Sequence, residues 1–151
     1  MVDKVPKEVR SRMMAAVKGR NTGPERHVRA ALFGNGFRYR LHRRDLPGNP
    51  DIVLPRYRTA IFVHGCFWHS HACRRGLQRP ETRREFWNAK LDGNIARDQA
   101  NQAALGDTGW TVFVIWTCQL DADTSRVLAF LRQQRGRALS RQAHVSIDLA
   151  R

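Results

Sequence analysis

Apolar positions along the chain switch several times between helical and extended spacing. Met13, Met14 and Val17 place a short apolar stripe on a helix expected over roughly Lys7 to Val17. Thr22-Gly23-Pro24-Glu25 has the spacing of a capping box, with proline early in the first turn. Val28, Ala31 and Leu32 continue at helical spacing, and Gly34 or Gly36 supplies the stop. Phe37-Arg38-Tyr39-Arg40-Leu41 alternates with a period of two and reads as a strand. Leu46-Pro47-Gly48-Asn49-Pro50 is a loop rich in breakers. Asp51 to Leu54 reads as a short strand, Pro55 to Arg58 as a turn, and Thr59 to Val63 as the next strand. That connection is too short for a crossover, so the two strands are expected to run antiparallel.

Thr82-Arg83-Arg84-Glu85 has the spacing of a second capping box, and Trp87, Leu91 and Ile95 follow at intervals of four. They predict a helix to about Leu105. Trp110 to Trp116 is a continuous apolar run, expected as a buried strand with both tryptophans in the core. A helix between two strands favours a parallel, right-handed crossover. Asp121 or Asp123 is expected to cap a last helix carrying Val127, Leu128, Phe130 and Leu131. The pattern predicts one α/β domain over residues 21–134. Residues 1–20 hold six basic residues (Lys4, Lys7, Arg10, Arg12, Lys18 and Arg20) against two acids, and so read as an arm or short helix lying on DNA, with packing against the core as an equal alternative. Residues 135–151 carry Arg135, Arg137, Arg141 and Arg151 with little periodicity, and are expected to form a mobile tail.

Charge narrows the partner. The chain of 151 residues has 27 Lys and Arg against 13 Asp and Glu, a formal net charge of +14. This excess points to a polyanion, foremost nucleic acid. A membrane surface fits less well, because no long helix combines a basic face with a broad apolar one. No apolar run is long enough for a spanning helix, and the N-terminus lacks the apolar stretch of a secretory signal. A cytoplasmic, nucleoid-associated monomer is expected. The three cysteines are an odd number, which argues against a disulfide framework.

The densest chemistry lies in His64-Gly65-Cys66-Phe67-Trp68-His69-Ser70-His71-Ala72-Cys73. Zinc takes four nitrogen or sulfur donors in a tetrahedron, and its structural sites are closed. Cys66, His71 and Cys73 can supply three donors from one loop, and Cys118, after the last strand, can close the set. Thiolates favour Zn²⁺ over Mg²⁺. Buried cysteines with packing histidines, or a catalytic thiolate, are the competing readings. The clustering of five candidate ligands weighs against the first, and a zinc-bound thiolate is not free for the second.

Asp51 begins one strand and the next strand delivers His64. If the two pair as a hairpin, a carboxylate and an imidazole meet near one end. Mg²⁺ needs few protein ligands, and a carboxylate with a neighbouring base is what phosphodiester hydrolysis requires. Glu25 can add a second acid, although a plain capping side chain is the better reading of it from the residues alone.

Asn49-Pro50-Asp51, the segment from Phe62 to Cys73, and Arg84-Glu85-Phe86-Trp87, in that order, resemble the very short patch repair (Vsr) endonucleases. The resemblance spans about Arg10 to Cys118. It implies a restriction-endonuclease-like core of the PD-(D/E)xK type, a mixed β-sheet flanked by helices, and a structural zinc site. It also implies Mg²⁺-dependent nicking of one strand of duplex DNA 5′ to the T of a T:G mismatch. Carried onto this chain, Asp51 is the metal-binding carboxylate and the Val63 carbonyl a second Mg²⁺ contact. His69 is the general base, His64 a supporting group at the phosphate, and Glu25 orients water at the metal. Cys66, His71, Cys73 and Cys118 hold zinc. No (D/E)-x-K follows Asp51, so a lysine-based mechanism is not expected.

Aromatic wedges unstack base steps, and a mismatched step opens at lower cost. The resemblance implies that Phe67, Trp68 and Trp87 insert beside the mismatch, with Met14 approaching from the other groove. For Trp87 core packing is a serious competitor, since it shares a helical stripe with Leu91 and Ile95. Rival functions are a same-fold endonuclease of different recognition, restriction-associated or mobile-element, a non-catalytic zinc-stabilised DNA-binding module, and an RNA-binding ribosomal-type protein. Mismatch-repair proteins are admitted as further partners.

Overall fold

The computed structural model describes residues 6–16 and 19–148. The elements are α1 (Lys7–Ala15), α2 (Gly23–Gly34), β1 (Arg40–Leu41), β2 (Ile52–Leu54), β3 (Thr59–His64), α3 (Arg84–Asp107), β4 (Thr111–Trp116) and α4 (Leu120–Asp148). Helix α2 begins as its sequence dictates. The Thr22 hydroxyl accepts the Glu25 amide, and Glu25 accepts the Thr22 amide in return. Val28 and Leu32, one turn apart, are fully buried on its inner face.

The strands form one sheet in the order β1-β2-β3-β4. The first two pairings are antiparallel, and β3 pairs with β4 in parallel, with α3 as the expected crossover. Strand alternation distributes β3 between two faces. Ile61 packs with Val28, Leu32, Ile115, Val127 and Leu131 under α2 and α4. Ala60 and Phe62 pack with Leu105 of α3. Strand β2 is interior, so Ile52, Val53 and Leu54 are all buried, which explains an apolar run without alternation.

Several local expectations yield to tertiary constraints. The strand expected over Phe37–Leu41 shrinks to Arg40–Leu41, because the Phe37 amide turns back to the Leu32 carbonyl and closes the end of α2. The capping box at Thr82 does not form. Helix α3 starts at Arg84 with Arg83 in a left-handed conformation as its cap, which leaves Thr82 one position outside. Strand β4 is buried fully at Ile115 alone, since it lies at the sheet edge. Trp116 is half-buried rather than interior, and Trp110 packs at the margin of the Leu105 cluster. The Asp123 carboxylate accepts the Trp116 amide at 2.8 Å, so it caps the strand end rather than a free amide of its own helix. Helix α4 shows no break at residue 135 and continues to Asp148. Gln133, Gln134, Arg135, Arg137, Ala138 and Leu139 are good helix formers with no proline among them. Among the described residues, no helix is long and apolar enough to cross a membrane.

Neighbouring residues on α2 test this packing. Leu32→Ala is expected to lower the unfolding free energy by about 3 kcal/mol, and Phe33→Ala, at 59% exposure, by less than about 1 kcal/mol. Denaturant titration of the two variants measures the difference.

Candidate functional site

Antiparallel pairing of β2 with β3 brings Asp51 to the end of β3. The Val63 amide donates to Asp51 Oδ2 at 2.8 Å. The Asp51 side chain is 19% exposed. Burial pushes its carboxyl up to about 6; the Val63 amide opposes that rise, and the neighbouring Glu25 carboxylate adds to it. Glu25 is almost wholly buried at the start of α2. Its oxygens accept from the amides of Asn21 and Thr22, the Thr22 hydroxyl at 2.9 Å and the Arg29 guanidinium at 2.8 Å. His42 stands between the two acids, 3.7 Å from Glu25 and 3.9 Å from Asp51. Burial lowers its pKa. One donor atom from each of Glu25, His42 and Asp51 lies within 4.8 Å of the others, so the trio can hold a cation.

The loop after β3 supplies the second part. His64, the last residue of β3, stacks on His69 with ring centroids 3.6 Å apart and an interplanar angle of 7°. Burial lowers the His64 pKa to about 4, with the His69 charge acting in the same direction. His69 Nδ1 lies 2.5 Å from Asp98 Oδ2 of α3. Glu25, Asp51, Val63, His64, His69 and Asp98 line one open cavity of about 630 Å³.

The same loop turns its alternate residues toward a second centre. Donor atoms of Cys66, His71, Cys73 and Cys118 all lie within 4.8 Å of one another. Cys118 Sγ is 3.3 Å from His71 Nδ1, and the His71 ring stacks on Trp116 at 4.2 Å. The loop closes through Gly76, where a Cβ would meet the His71 carbonyl oxygen at 2.0 Å. A backbone hydrogen bond from Gly76 draws the Cys73 thiol down to about 6, with His71 assisting. Desolvation, with the other sulfurs adding to it, raises the Cys118 thiol to about 11. Crowded thiols beside one imidazole are the soft donor set that a divalent cation such as Zn²⁺ fits.

Phe67, Trp68 and Trp87 form an aromatic group beside the cavity. The Phe67–Trp68 centroids are 5.1 Å apart and the Phe67–Trp87 centroids 5.7 Å. Asn94 holds the Trp68 carbonyl at 2.9 Å, and Lys90 Nζ lies 5.8 Å from the rings of Trp68, Phe86 and Trp87. Trp87 is half-buried against these rings, outside both core clusters. The Met14 side chain lies outside the described residues.

The structure thus gathers Glu25, Asp51, Val63, His64 and His69 at one cavity, and the four zinc-type donors beside it. Sequence reasoning missed Asp98, His42 and Arg29. Asp98 carried a signal, an acid continuing the Leu91–Ile95 stripe at helical spacing. Arg29 carried one as well, standing four residues after Glu25 on the same helix, whereas His42 carried none, since its place follows from strand pairing.

Comparison with known proteins supplies a relationship. The family described as DNA mismatch endonuclease Vsr matches residues 2–75. A type II nicking enzyme, V.XorIIP, of Xanthomonas oryzae pv. oryzae is 49% identical over 132 residues, covering 87% of this chain and 96% of the relative. The DNA mismatch endonuclease Vsr of Escherichia coli (strain K12) is 41% identical over 120 residues, 80% of this chain and 76% of the relative. The type II nicking enzyme V.NmeAIP of Neisseria meningitidis is also 41% identical over 120 residues.

Burial of Asp51 has a measurable consequence. A carboxyl raised from 3.8 to about 6 holds its proton more tightly in the folded than in the unfolded chain. Its charged form therefore costs the fold free energy above pH 6, on the order of 3 kcal/mol. The cost fades as the pH falls through 6 toward 3.8. Asp51→Asn keeps an acceptor for the Val63 amide. Without added Mg²⁺ it is expected to raise Tm at pH 8, with the gain shrinking toward zero in melts at progressively lower pH.

Proposed function

Because the chain belongs to the Vsr family of DNA mismatch endonucleases, we propose that it nicks one strand of duplex DNA immediately 5′ to the T of a T:G mismatch, by Mg²⁺-dependent phosphodiester hydrolysis. The observation that carries this reading is the convergence of Asp51, Glu25, His64 and His69 on one cavity, with half-buried aromatic rings beside it. The fold of this reading is the restriction-endonuclease-like one.

Asp51 and the Val63 carbonyl are the groups that hold Mg²⁺. A hard cation suits oxygen donors, and when bound it supplies charge stabilisation to the scissile phosphate. His69 is the base. The Asp98 carboxylate accepts from Nδ1, so the ring proton sits there and Nε2 keeps its lone pair. Asp98 also balances the charge that His69 gains on taking a proton. His64, buried and neutral, stacks against His69 and can donate a hydrogen bond to a phosphate oxygen. Glu25 orients water at the cavity wall, held in place by Arg29.

Phe67, Trp68 and Trp87 enter the duplex beside the mismatch, and Met14, with the N-terminal segment 1–20, approaches from the other groove. Opening a base step costs a few kcal/mol, least at a mismatch, so the wedge itself discriminates. The Cys66, His71, Cys73 and Cys118 set holds a structural Zn²⁺ that braces the hook carrying the wedge and the base. The positive charge draws the protein to duplex DNA as a cytoplasmic, nucleoid-associated monomer. A second reading keeps the nicking chemistry with a different recognition sequence, favoured by the names of the nicking-enzyme relatives.

A strand-labelled panel of T:G, matched and methylated duplexes tests the assignment. Nicking is expected 5′ to the mismatched T with Mg²⁺ and none with EDTA. Asp51→Ala is expected to lose at least about a hundredfold in rate while DNA affinity holds. Equal cleavage of matched duplexes would favour the second reading, and full turnover by Asp51→Ala would sink the metal role.

For the zinc assignment, purified protein is expected to contain about one equivalent of Zn²⁺ by elemental analysis. Cys73→Ser is expected to lose that metal and to melt at clearly lower temperature. An unchanged melt with no metal in the parent would refute the site.

A further inference from the structure

A cation-binding carboxylate works best when both oxygens are aimed, and Asp51 has an evident partner for one of them. Its Oδ2 takes the Val63 amide at 2.8 Å. Its Oδ1 faces His42 Nδ1 at 3.9 Å, beyond a direct hydrogen bond and within the span that one shared water bridges. The backbone sets this approach. The β1–β2 ladder continues one step past Leu41, where the His42 amide donates to the Asp51 carbonyl at 3.2 Å. There the chain leaves the strand with His42 at φ 46°, a left-handed conformation that a histidine keeps only when its surroundings hold it.

Arg29 decides which ring nitrogen faces Asp51. Its Nη2 lies 3.2 Å from His42 Nε2 and 2.8 Å from Glu25 Oε2, and its Nη1 donates to Asn21 Oδ1 at 2.7 Å. A guanidinium has donors and no acceptor. His42 Nε2 must therefore carry the lone pair, and the ring proton sits on Nδ1, toward Asp51. Arg29 is itself 12% exposed and anchored by the buried Glu25. The line Glu25–Arg29–His42–Asp51 thus alternates acceptor and donor from the start of α2 to the start of β2.

We propose that Arg29 and His42 are positioning residues that aim the Asp51 carboxylate for cation binding, Arg29 by fixing His42 as the Nδ1–H tautomer and His42 by presenting that N–H to Asp51 Oδ1. This role rests on the reading of Asp51 as the cation ligand. Glu25 also serves this line, because its Oε2 accepts from the Arg29 guanidinium at 2.8 Å. Neither Arg29 nor His42 needs to touch the DNA or the reacting atoms. Groups one step removed from a metal ligand typically change metal affinity by about ten- to a hundredfold when removed.

The test uses the full-length, DNA-free protein, with long-range ¹H–¹⁵N spectra of the His42 ring and a Mn²⁺ titration followed by electron paramagnetic resonance. The Nδ1–H tautomer is expected in the parent protein and its loss in Arg29→Met. His42→Asn keeps an amide donor near the place of Nδ1 and tolerates the left-handed backbone. It is expected to bind Mn²⁺ within about threefold of the parent, whereas His42→Leu and Arg29→Met are expected to bind about tenfold more weakly. Thermal melts of each variant separate weakened binding from loss of fold. A parent protein with the proton on Nε2, or His42→Leu that folds and binds Mn²⁺ like the parent, would overturn the relay. Asp51→Asn distinguishes the two levels. If it abolishes Mn²⁺ binding while His42→Leu does not weaken it, the relay alone fails. If Asp51→Asn leaves binding intact, the cation role of Asp51 fails and the relay falls with it.

Discussion

The hydrogen bond from the Val63 amide to Asp51 Oδ2 is the contact on which the rest of the centre depends. It joins the start of β2 to the end of β3, in register with the antiparallel pairing that precedes it. A carboxylate this far from water needs donors to stay charged, and its raised pKa shows that they compensate for burial only in part. The contact also sets where β3 ends, and hence where His64 and the following loop leave the sheet. One end of the sheet is thereby converted into the floor of a cavity, with α2 on one side and α3 on the other.

The loop from His64 to Leu77 serves two centres at once. His64, Trp68 and His69 face the cavity, while Cys66, His71 and Cys73 gather with Cys118 behind it. Such a division requires a tightly folded segment, and the near approach of Gly76 to His71 shows how little room is left. Cys66 Sγ lies 3.4 Å from the Thr117 hydroxyl, and Thr117 also lines the cavity, so the two centres share a wall. Rigidity at the sulfur-rich centre is passed to the aromatic rim and to His69 through only a few peptide bonds.

Two histidines at this centre have their tautomers set by charged partners. Asp98 accepts from His69 Nδ1, and Arg29 donates to His42 Nε2. In both rings the proton sits on Nδ1, yet the consequences differ. At His69 the N–H meets the Asp98 carboxylate directly, whereas the His42 N–H faces Asp51 across 3.9 Å. His64 stacks between the sheet and His69 and stays neutral because burial disfavours its cation.

Much of the fold was legible in the sequence where the governing interactions are local. The capping box at Thr22, the β2–β3 turn and the helical stripe of α3 each depend on residues within a few positions of one another, and periodicity reports them directly. The ligand cluster between His64 and Cys73 was legible for the same reason. The cap of α3 and the length of β1 were not, because chain entry at Arg83 and the Phe37–Leu32 bond are settled by packing at a distance. What the sequence by itself determined is the inventory of chemistry and the order of elements. Only the tertiary structure decided that Asp98 meets His69, that Arg29 meets His42, and that both lines end at one cavity. Those contacts join residues 29 and 13 positions apart on different elements, so they arise from sheet register and helix placement, which no local spacing encodes.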